Sequence, residues 1–142
     1  MLARRSGIIA AVALTPLLMA AAVPDNGDQY VCSIGKAIEC DGDLNCGPPA
    51  PQQPAPTFIH VNLDDSRITL LAPPERRGET TQVRAMERDG DQVILSGIEA
   101  GRGWSMSMSE STGKMSITIN FGDAAWIVFG QCIAEDQTSP RG

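Results

Sequence analysis

The chain has 142 residues and a formal net charge of −6, and 42% of its residues are hydrophobic, 20% charged and 4% aromatic. This length and composition exclude a disordered polyampholyte and a membrane bundle, and they suit one compact domain rather than two. Because an acidic surface repels phosphate groups, we expect no nucleic-acid partner.

Residues 1–22 predict a secretory signal peptide. Arg4 and Arg5 precede an apolar stretch, Ile8 to Val23, which contains three consecutive alanines that a signal peptidase accepts. An uncleaved membrane anchor is the alternative, but this stretch contains a proline and is short for a span of about 20 residues. We therefore expect residues 23–142 to form a single periplasmic or secreted β domain that does not stay inserted in a membrane.

Four cysteines follow the predicted signal peptide. In an oxidising compartment they predict two disulfides, with three possible connectivities. We favour Cys40 with Cys46, which closes a short loop, and Cys32 with Cys132, which joins the first regular segment to the last. A zinc site is the alternative, but the chain has no Cys-x-x-Cys pair and one histidine, His60. We expect no metal and no other cofactor.

Residues 47–56 contain five prolines. Proline removes a backbone donor and fixes φ, so this segment is predicted to be an extended connector rather than a helix or a central strand. A proline-rich ligand for an adaptor module is the alternative, but such modules are mainly cytosolic.

After the connector, turn signals recur about every 10–12 residues, with β-rich runs between them, and this spacing is typical of an all-β fold. About eight strands are predicted, near Tyr30–Ile38, Phe58–Leu63, Arg67–Ala72, Thr81–Arg88, Gln92–Ile98, Gly103–Glu110, Lys114–Phe121 and Ala125–Ile133.

Two hairpins have predicted registers. A two-residue loop at Thr112-Gly113 would set Met106 opposite Ile119, with nearly all apolar side chains of the hairpin on one face. A three-residue loop around Gly90 would set Ala85 opposite Leu95.

The short connections predict an antiparallel up-and-down meander that forms a small barrel, and a β-sandwich is the alternative. The Cys32–Cys132 bridge would then clasp the first strand to the last where the barrel closes. The run from Trp126 to Phe129 is apolar on both faces, so we expect both of its sides to be covered.

The early Cys32 and Cys40-Asp41, the proline-rich gap, the run Gly101 to Ser105 and the late Gly130-Gln131-Cys132 together resemble small uncharacterised periplasmic proteins of alphaproteobacteria. This resemblance covers most of residues 23–142 and implies a compartment but no activity.

A second resemblance involves four residues, Ser111-Thr112-Gly113-Lys114. They are similar to a loop that contains serine and glycine in the periplasmic inhibitors of c-type lysozyme, which are small β-barrels with disulfides. The resemblance implies an inhibitory role and makes Ser111 and Lys114 candidate recognition residues.

No enzyme is predicted, because no catalytic constellation is recognisable. His60 alternates with apolar neighbours and has no nucleophile near it in the sequence, so it is interpreted as a surface or structural residue. Asp41, Asp43 and Asn45 begin like a calcium loop, but the sixth position is Cys46 rather than glycine. A solvated acidic loop is the preferred interpretation.

The leading hypothesis is a non-catalytic binding or inhibitory module, a monomer whose acidic surface meets a basic protein of the envelope. Arg102, beside Trp104 in a glycine-bordered turn, is a candidate recognition element. The alternative for this pair is a solvated turn charge and a buried tryptophan. The alternative function is a carrier of a small apolar ligand, with a cavity lined by Trp104, Met106, Met108 and Met115.

Overall fold

The computed structural model describes residues 28–50 and 54–135. The predicted signal peptide, residues 1–22, lies outside the described residues, as does the centre of the proline-rich connector at 51–53.

The described residues form an all-β structure, which confirms the predicted fold class. A short 3-10 helix, Pro74–Arg76, lies between the fourth and fifth strands. The strands are β1 (Gln29–Asp41), β2 (Cys46–Gly47), β3 (Phe58–Asn62), β4 (Arg67–Ala72), β5 (Thr80–Gln82), β6 (Ala85–Asp89), β7 (Gln92–Glu99), β8 (Arg102–Ser109), β9 (Lys114–Asn120) and β10 (Ala124–Ala134).

The strands make one antiparallel sheet, in the order β5-β4-β3-β1-β10-β9-β8-β7-β6, with β2 paired to the far end of β1. The sheet curls into a half-barrel. As predicted, the first and last strands pair with each other. The two edges of the sheet, however, are β5 and β6, which together occupy the predicted single strand Thr81–Arg88.

The chain crosses from one edge of the sheet to the other within two residues. The backbone N–H of Val83 donates to the carbonyl of Ser66 at 2.8 Å, and the next N–H, that of Arg84, donates to the carbonyl of Ser96 at 2.8 Å. One short segment therefore bonds to both sides of the curled sheet, which is why the prediction of one strand failed here while the prediction of a meander held.

Apolar side chains that alternate along the strands fill the concave side, as the period of two requires. The three methionines Met106, Met108 and Met115 belong to this core rather than to an exposed surface. The core comprises Tyr30, Cys32, Ile59, Val61, Leu63, Ile68, Val83, Val93, Leu95, Trp104, Met106, Met108, Met115 and Cys132.

Both predicted disulfides are present. Cys32 and Cys132 face each other across β1 and β10, and Cys40 and Cys46 face each other across β1 and β2. The described residues contain no free cysteine.

The predicted register of the β8–β9 hairpin is wrong by two residues. Met106 lies opposite Ile117 rather than Ile119, and the loop spans four residues, Glu110 to Gly113. A shift of two keeps every side chain on its predicted face, so the alternation of apolar and polar residues did not distinguish the two registers.

The predicted register of the β6–β7 hairpin is wrong by one residue, since Ala85 lies opposite Ser96 rather than Leu95. All five residues of β6 are exposed. A one-residue slip therefore moves no β6 side chain out of the core, and burial could not select the register of this edge strand.

The expectation that β10 is covered on both faces is also wrong for the described part of the chain. Val128 is buried on the concave side, but the neighbouring Phe129 is 53% exposed on the convex side. In the structure this side of the strand is open to solvent.

Candidate functional site

Three connections meet at one end of the half-barrel, and we call them the rim: loop 41–45, turn 100–102 and turn 121–123. The strands that carry them, β1, β10, β9, β8 and β7, are consecutive neighbours in the sheet. Because antiparallel strands reverse direction at each connection, all three connections project from the same end. Loops held by a rigid scaffold are the usual place for binding residues.

The loop 41–45 is rigidly closed. The Cys40–Cys46 bridge joins its two ends. Inside it, one carboxylate oxygen of Asp41 accepts backbone N–H groups from Asp43 at 3.0 Å and from Asn45 at 2.9 Å. The bond from the Asn45 backbone, with that residue's side chain, holds the pKa of Asp41 below its usual value. A carboxylate that receives these donors orders the loop rather than presenting its oxygens to a cation.

Leu44 stands at the tip of this loop. It is 85% exposed, and its φ of 63° lies in the left-handed region that a residue with a branched side chain rarely adopts. Its own N–H donates to the carbonyl of Asp41 at 3.1 Å, which fixes the backbone in this turn. The loop therefore presents one large apolar side chain to solvent from a fixed backbone position.

Leu44 was not predicted as a functional residue, although its position in the sequence indicates its exposure. Cys-Asp-Gly-Asp-Leu-Asn-Cys contains one large apolar residue in a ring too short to fold over it. An apolar side chain in such a ring has nowhere to be buried within its own loop.

Arg102 lies in the rim turn 100–102, next to turn 121–123. Its guanidinium lies over the Phe121 ring, 4.6 Å from the ring centroid, and Phe121 in turn contacts Trp126 at a centroid distance of 4.8 Å. This cation–π contact holds the guanidinium at the rim against the face of an aromatic ring. The tryptophan that supports Arg102 is therefore Trp126, through Phe121.

Trp104 lies deeper, in the core, at 8% exposure. Its indole packs over Gly97 on the neighbouring strand, and its buried N–H has no hydrogen-bond partner. The structure therefore places Trp104 away from solvent, next to the seam between β5 and β7.

Ser111 and Lys114 lie at the opposite end of the half-barrel from Arg102. The strand β8 separates Arg102 from Ser111 by roughly 25 Å at 3.3 Å per residue. The four residues predicted from the sequence do not come together in one site. Arg102 is on the rim and Trp104 is in the core. Ser111 lies in the β8–β9 turn, residues 110–113, which we call the distal turn, and Lys114 follows it directly.

The distal turn is fastened to the body of the protein. Asp91 accepts the hydroxyl of Ser109, and it accepts the backbone N–H of Ser111 at 2.7 Å and the hydroxyl of Ser111 at 2.8 Å. The hydrogen bond from the Ser109 hydroxyl contributes most to lowering the pKa of the Asp91 carboxyl, and the bond from the Ser111 hydroxyl contributes next. The carbonyl of Gly113 accepts the N–H of Cys132 at 2.7 Å. Most polar groups of this turn thus serve internal contacts, while Lys114 stays exposed.

A second polar cluster joins β6 to the start of β1. Arg88 donates to Asp28 at 2.6 Å and lies 3.7 Å from Glu110, which accepts the Tyr30 hydroxyl at 3.4 Å. Burial and the neighbouring Glu110 raise the pKa of Tyr30, and the bond to Asp28 raises that of Arg88. The four side chains use one another as hydrogen-bond and ion-pair partners, so we interpret the cluster as structural.

His60 lies on the convex side, with its Nε2 atom 3.4 Å from Glu135. This agrees with the expectation that it faces away from the core. In the described part of the chain, no three His, Cys, Asp or Glu side chains are grouped so as to hold a metal ion. Over the same residues, no helix is long and apolar enough to cross a bilayer.

Comparisons with known proteins found no matching family model, no similar curated protein and no similar solved structure. The function is therefore inferred from the geometry of this chain alone.

Proposed function

We propose that the protein is a non-catalytic, monomeric binding module of the periplasm or the extracellular space, and that it engages a basic protein through the rim. The disulfides are consistent with an oxidising compartment. The signal-like sequence of residues 1–22 supports export.

The observation that carries this proposal is the exposure of Leu44 on a closed loop. A free surface loop loses conformational entropy when it binds, whereas a loop already held in one conformation loses little. An apolar side chain that is fixed outside the core gains binding free energy when a partner pocket removes it from water, at about 25 cal/mol per Å². The Cys40–Cys46 loop has both properties.

The charges around Leu44 indicate the kind of partner. Asp43 is exposed beside it, and the backbone of Gly42 lies against the turn that contains Asp123, which is also exposed. With a formal net charge of −6 on the whole chain, a basic partner would be attracted at long range. Such attraction raises the association rate and weakens with salt.

The proposal is tested by capture from a periplasmic or culture-medium extract with three immobilised proteins: wild type, Leu44→Ser and Ile98→Ser. Ile98 is a matched control, because it is also an exposed apolar residue near the rim, at 63%, but lies outside the disulfide loop. We expect wild type and Ile98→Ser to enrich the same basic protein at low salt and Leu44→Ser to enrich it at least about tenfold less, the loss typical of an interface anchor.

Purified c-type lysozyme, a basic protein suggested by the resemblance of Ser111-Thr112-Gly113-Lys114, is the first defined partner to titrate against the same three proteins. Because that loop lies at the end opposite to Leu44, lysozyme binding that Leu44→Ser leaves unchanged would contradict engagement through the rim. If no basic protein binds at low salt, or if Leu44→Ser and Ile98→Ser lose binding equally, the proposal is overturned.

A further inference from the structure

The two disulfides differ sharply in their accessibility. Cys32 and Cys132 are 0% and 2% exposed on the concave side of the sheet. Cys46 is exposed and Cys40 is half-buried, at the edge where the two-residue strand β2 pairs with the end of β1. A thiolate must reach a sulfur atom directly to attack a disulfide, so accessibility decides which bridge reacts in the folded protein.

We propose that the Cys40–Cys46 bridge is a thiol–disulfide exchange site for dithiol reductants, and that its reduction releases the Leu44 loop while the body of the protein stays folded. The class of reactant is a dithiol, supplied by a small molecule or by an oxidoreductase of the compartment. The bridge Cys32–Cys132 is predicted to stay oxidised under the same conditions.

The exchange proceeds in two balanced steps. A thiolate of the dithiol attacks the sulfur of Cys46, forms a mixed disulfide with it and displaces Cys40 as a thiolate, which takes up a proton. The second thiol of the reductant, as a thiolate, then attacks the reductant sulfur that is bonded to Cys46. This displaces Cys46 as a thiolate, which is protonated in turn. The bridge gains two electrons and two protons, and the dithiol becomes a disulfide.

Reduction removes the covalent constraint that holds the loop. The contacts that remain lie at exposed or half-buried residues. They are the bonds of the Asp41 carboxylate with the Asp43 and Asn45 amides, the backbone bonds of Asp41 with Leu44 and Asn45, and a two-residue pairing between β1 and β2. Exposed hydrogen bonds compete with water and hold a short ring weakly. Leu44 keeps its φ of 63° only while the surroundings enforce it, so it would relax once the ring is open.

This inference rests on the proposed function only in its consequence, which is that reduction would weaken binding through Leu44. The exchange itself is a property of the chain and is measurable without any partner.

In the test, the folded protein, residues 23–142, is treated with graded concentrations of dithiothreitol. The free thiols are then blocked with N-ethylmaleimide and the labelled peptides are mapped. Hydrogen exchange on the same samples follows the amides of Asp43, Asn45 and Cys132. The amide of Cys132, which donates to Gly113, reports on the body of the protein. The variant Cys40→Ser/Cys46→Ser serves as a permanent mimic of the reduced loop.

We expect Cys40 and Cys46 to be labelled at least about tenfold faster than Cys32 and Cys132, as befits an exposed bridge beside a buried one. The Asp43 and Asn45 amides should lose protection on reduction and in the double variant, while that of Cys132 keeps its protection.

Equal labelling of all four cysteines, labelling of Cys132 first, or retained loop protection after reduction would each overturn the exchange proposal. These outcomes are distinct from a failure of the proposed function, which would appear as an absence of basic partners with the bridge intact.

Discussion

At the scale of single residues, Gly97 permits the close packing of the seam between β5 and β7. A Cβ at this position would lie 2.5 Å from Cζ2 of Trp104 and 2.7 Å from the carbonyl oxygen of Gln82. Both distances are far below van der Waals contact. Glycine is therefore required here by the approach of an indole ring and of β5, whereas in most strand positions it only weakens the strand.

We predict that Gly97→Ala destabilises the protein by about 1–3 kcal/mol, because the indole or the β5 backbone must move to admit the methyl group. The matched control is Gly103→Ala on the next strand, where an added Cβ meets no atom within 4 Å. The control should change stability by no more than about 0.5 kcal/mol. Urea unfolding followed by tryptophan fluorescence measures both. Equal midpoints for the two variants would show that the seam is loosely packed.

At the scale of elements, Asp91 couples two hairpins. It lies in the β6–β7 turn, yet its carboxylate binds Ser109, the last residue of β8, and Ser111 in the β8–β9 turn. The N–H of Glu110 donates to the Asp91 carbonyl at 2.9 Å as well. The second turn is thereby drawn toward the first, and β8 ends at Ser109 rather than continuing to a tight two-residue loop.

We predict that Asp91→Asn destabilises the protein at neutral pH, since an amide accepts fewer of these hydrogen bonds than a carboxylate. The pKa of Asp91 is lowered in the folded state. Its stabilising contribution is therefore fully present above the pKa of the unfolded chain and is lost as the pH falls through the folded-state pKa. The difference in unfolding free energy between wild type and variant should shrink from neutral pH toward about pH 2.

Urea unfolding at stepped pH values measures this difference, with Asp64→Asn, a change in an exposed turn, as the control. A gap between wild type and Asp91→Asn that stays constant down to the lowest pH would contradict a role for the charged carboxylate. A gap of the same size for Asp64→Asn would point to net charge rather than to the turn network.

The β8–β9 hairpin shows that the buried face of a strand was predicted from the sequence, whereas the register of the hairpin was not. Alternation placed Met106, Met108 and Met115 on the buried face, because the period of two is a local property of any strand. In the observed register, the β8–β9 turn is bonded to Asp91, whose partners lie 18 and 20 residues away. A side chain that reaches across hairpins leaves no periodic signal, so the compact two-residue loop was the reasonable but incorrect prediction.

The candidate functional residues also fall into those that the sequence predicted and those that depend on the order of strands in the sheet. The disulfide pairs were predicted, because four cysteines have only three connectivities. The rim was not, because it arises only when the sheet order brings loops 41–45, 100–102 and 121–123 to one end. Arg102 was predicted because it lies beside Trp104 in a glycine-bordered turn. Its aromatic support, Phe121, lies in the neighbouring turn 121–123 and is distant in sequence.

At the scale of the whole molecule, the Cys32–Cys132 bridge spans 100 residues and lies at the centre of the strand order, between β1 and β10. It joins the half of the sheet that ends at β5 to the half that ends at β6. In the chain-entropy account, closing a loop of this length stabilises the folded state by about 4–5 kcal/mol, whereas the short Cys40–Cys46 ring contributes about 2 kcal/mol.

Cys32→Ala/Cys132→Ala should therefore lose at least twice as much stability as Cys40→Ser/Cys46→Ser. A loss of about 4–5 kcal/mol approaches the whole stability of many domains of this size, so the first variant should be largely unfolded at 37 °C while the second keeps a cooperative transition. Circular dichroism with urea titration measures both, and wild type reduced under denaturing conditions and then diluted provides a chemical counterpart. If the two variants unfold at similar urea concentrations, the curled sheet is held by its apolar core and its strand pairing rather than by the long covalent closure.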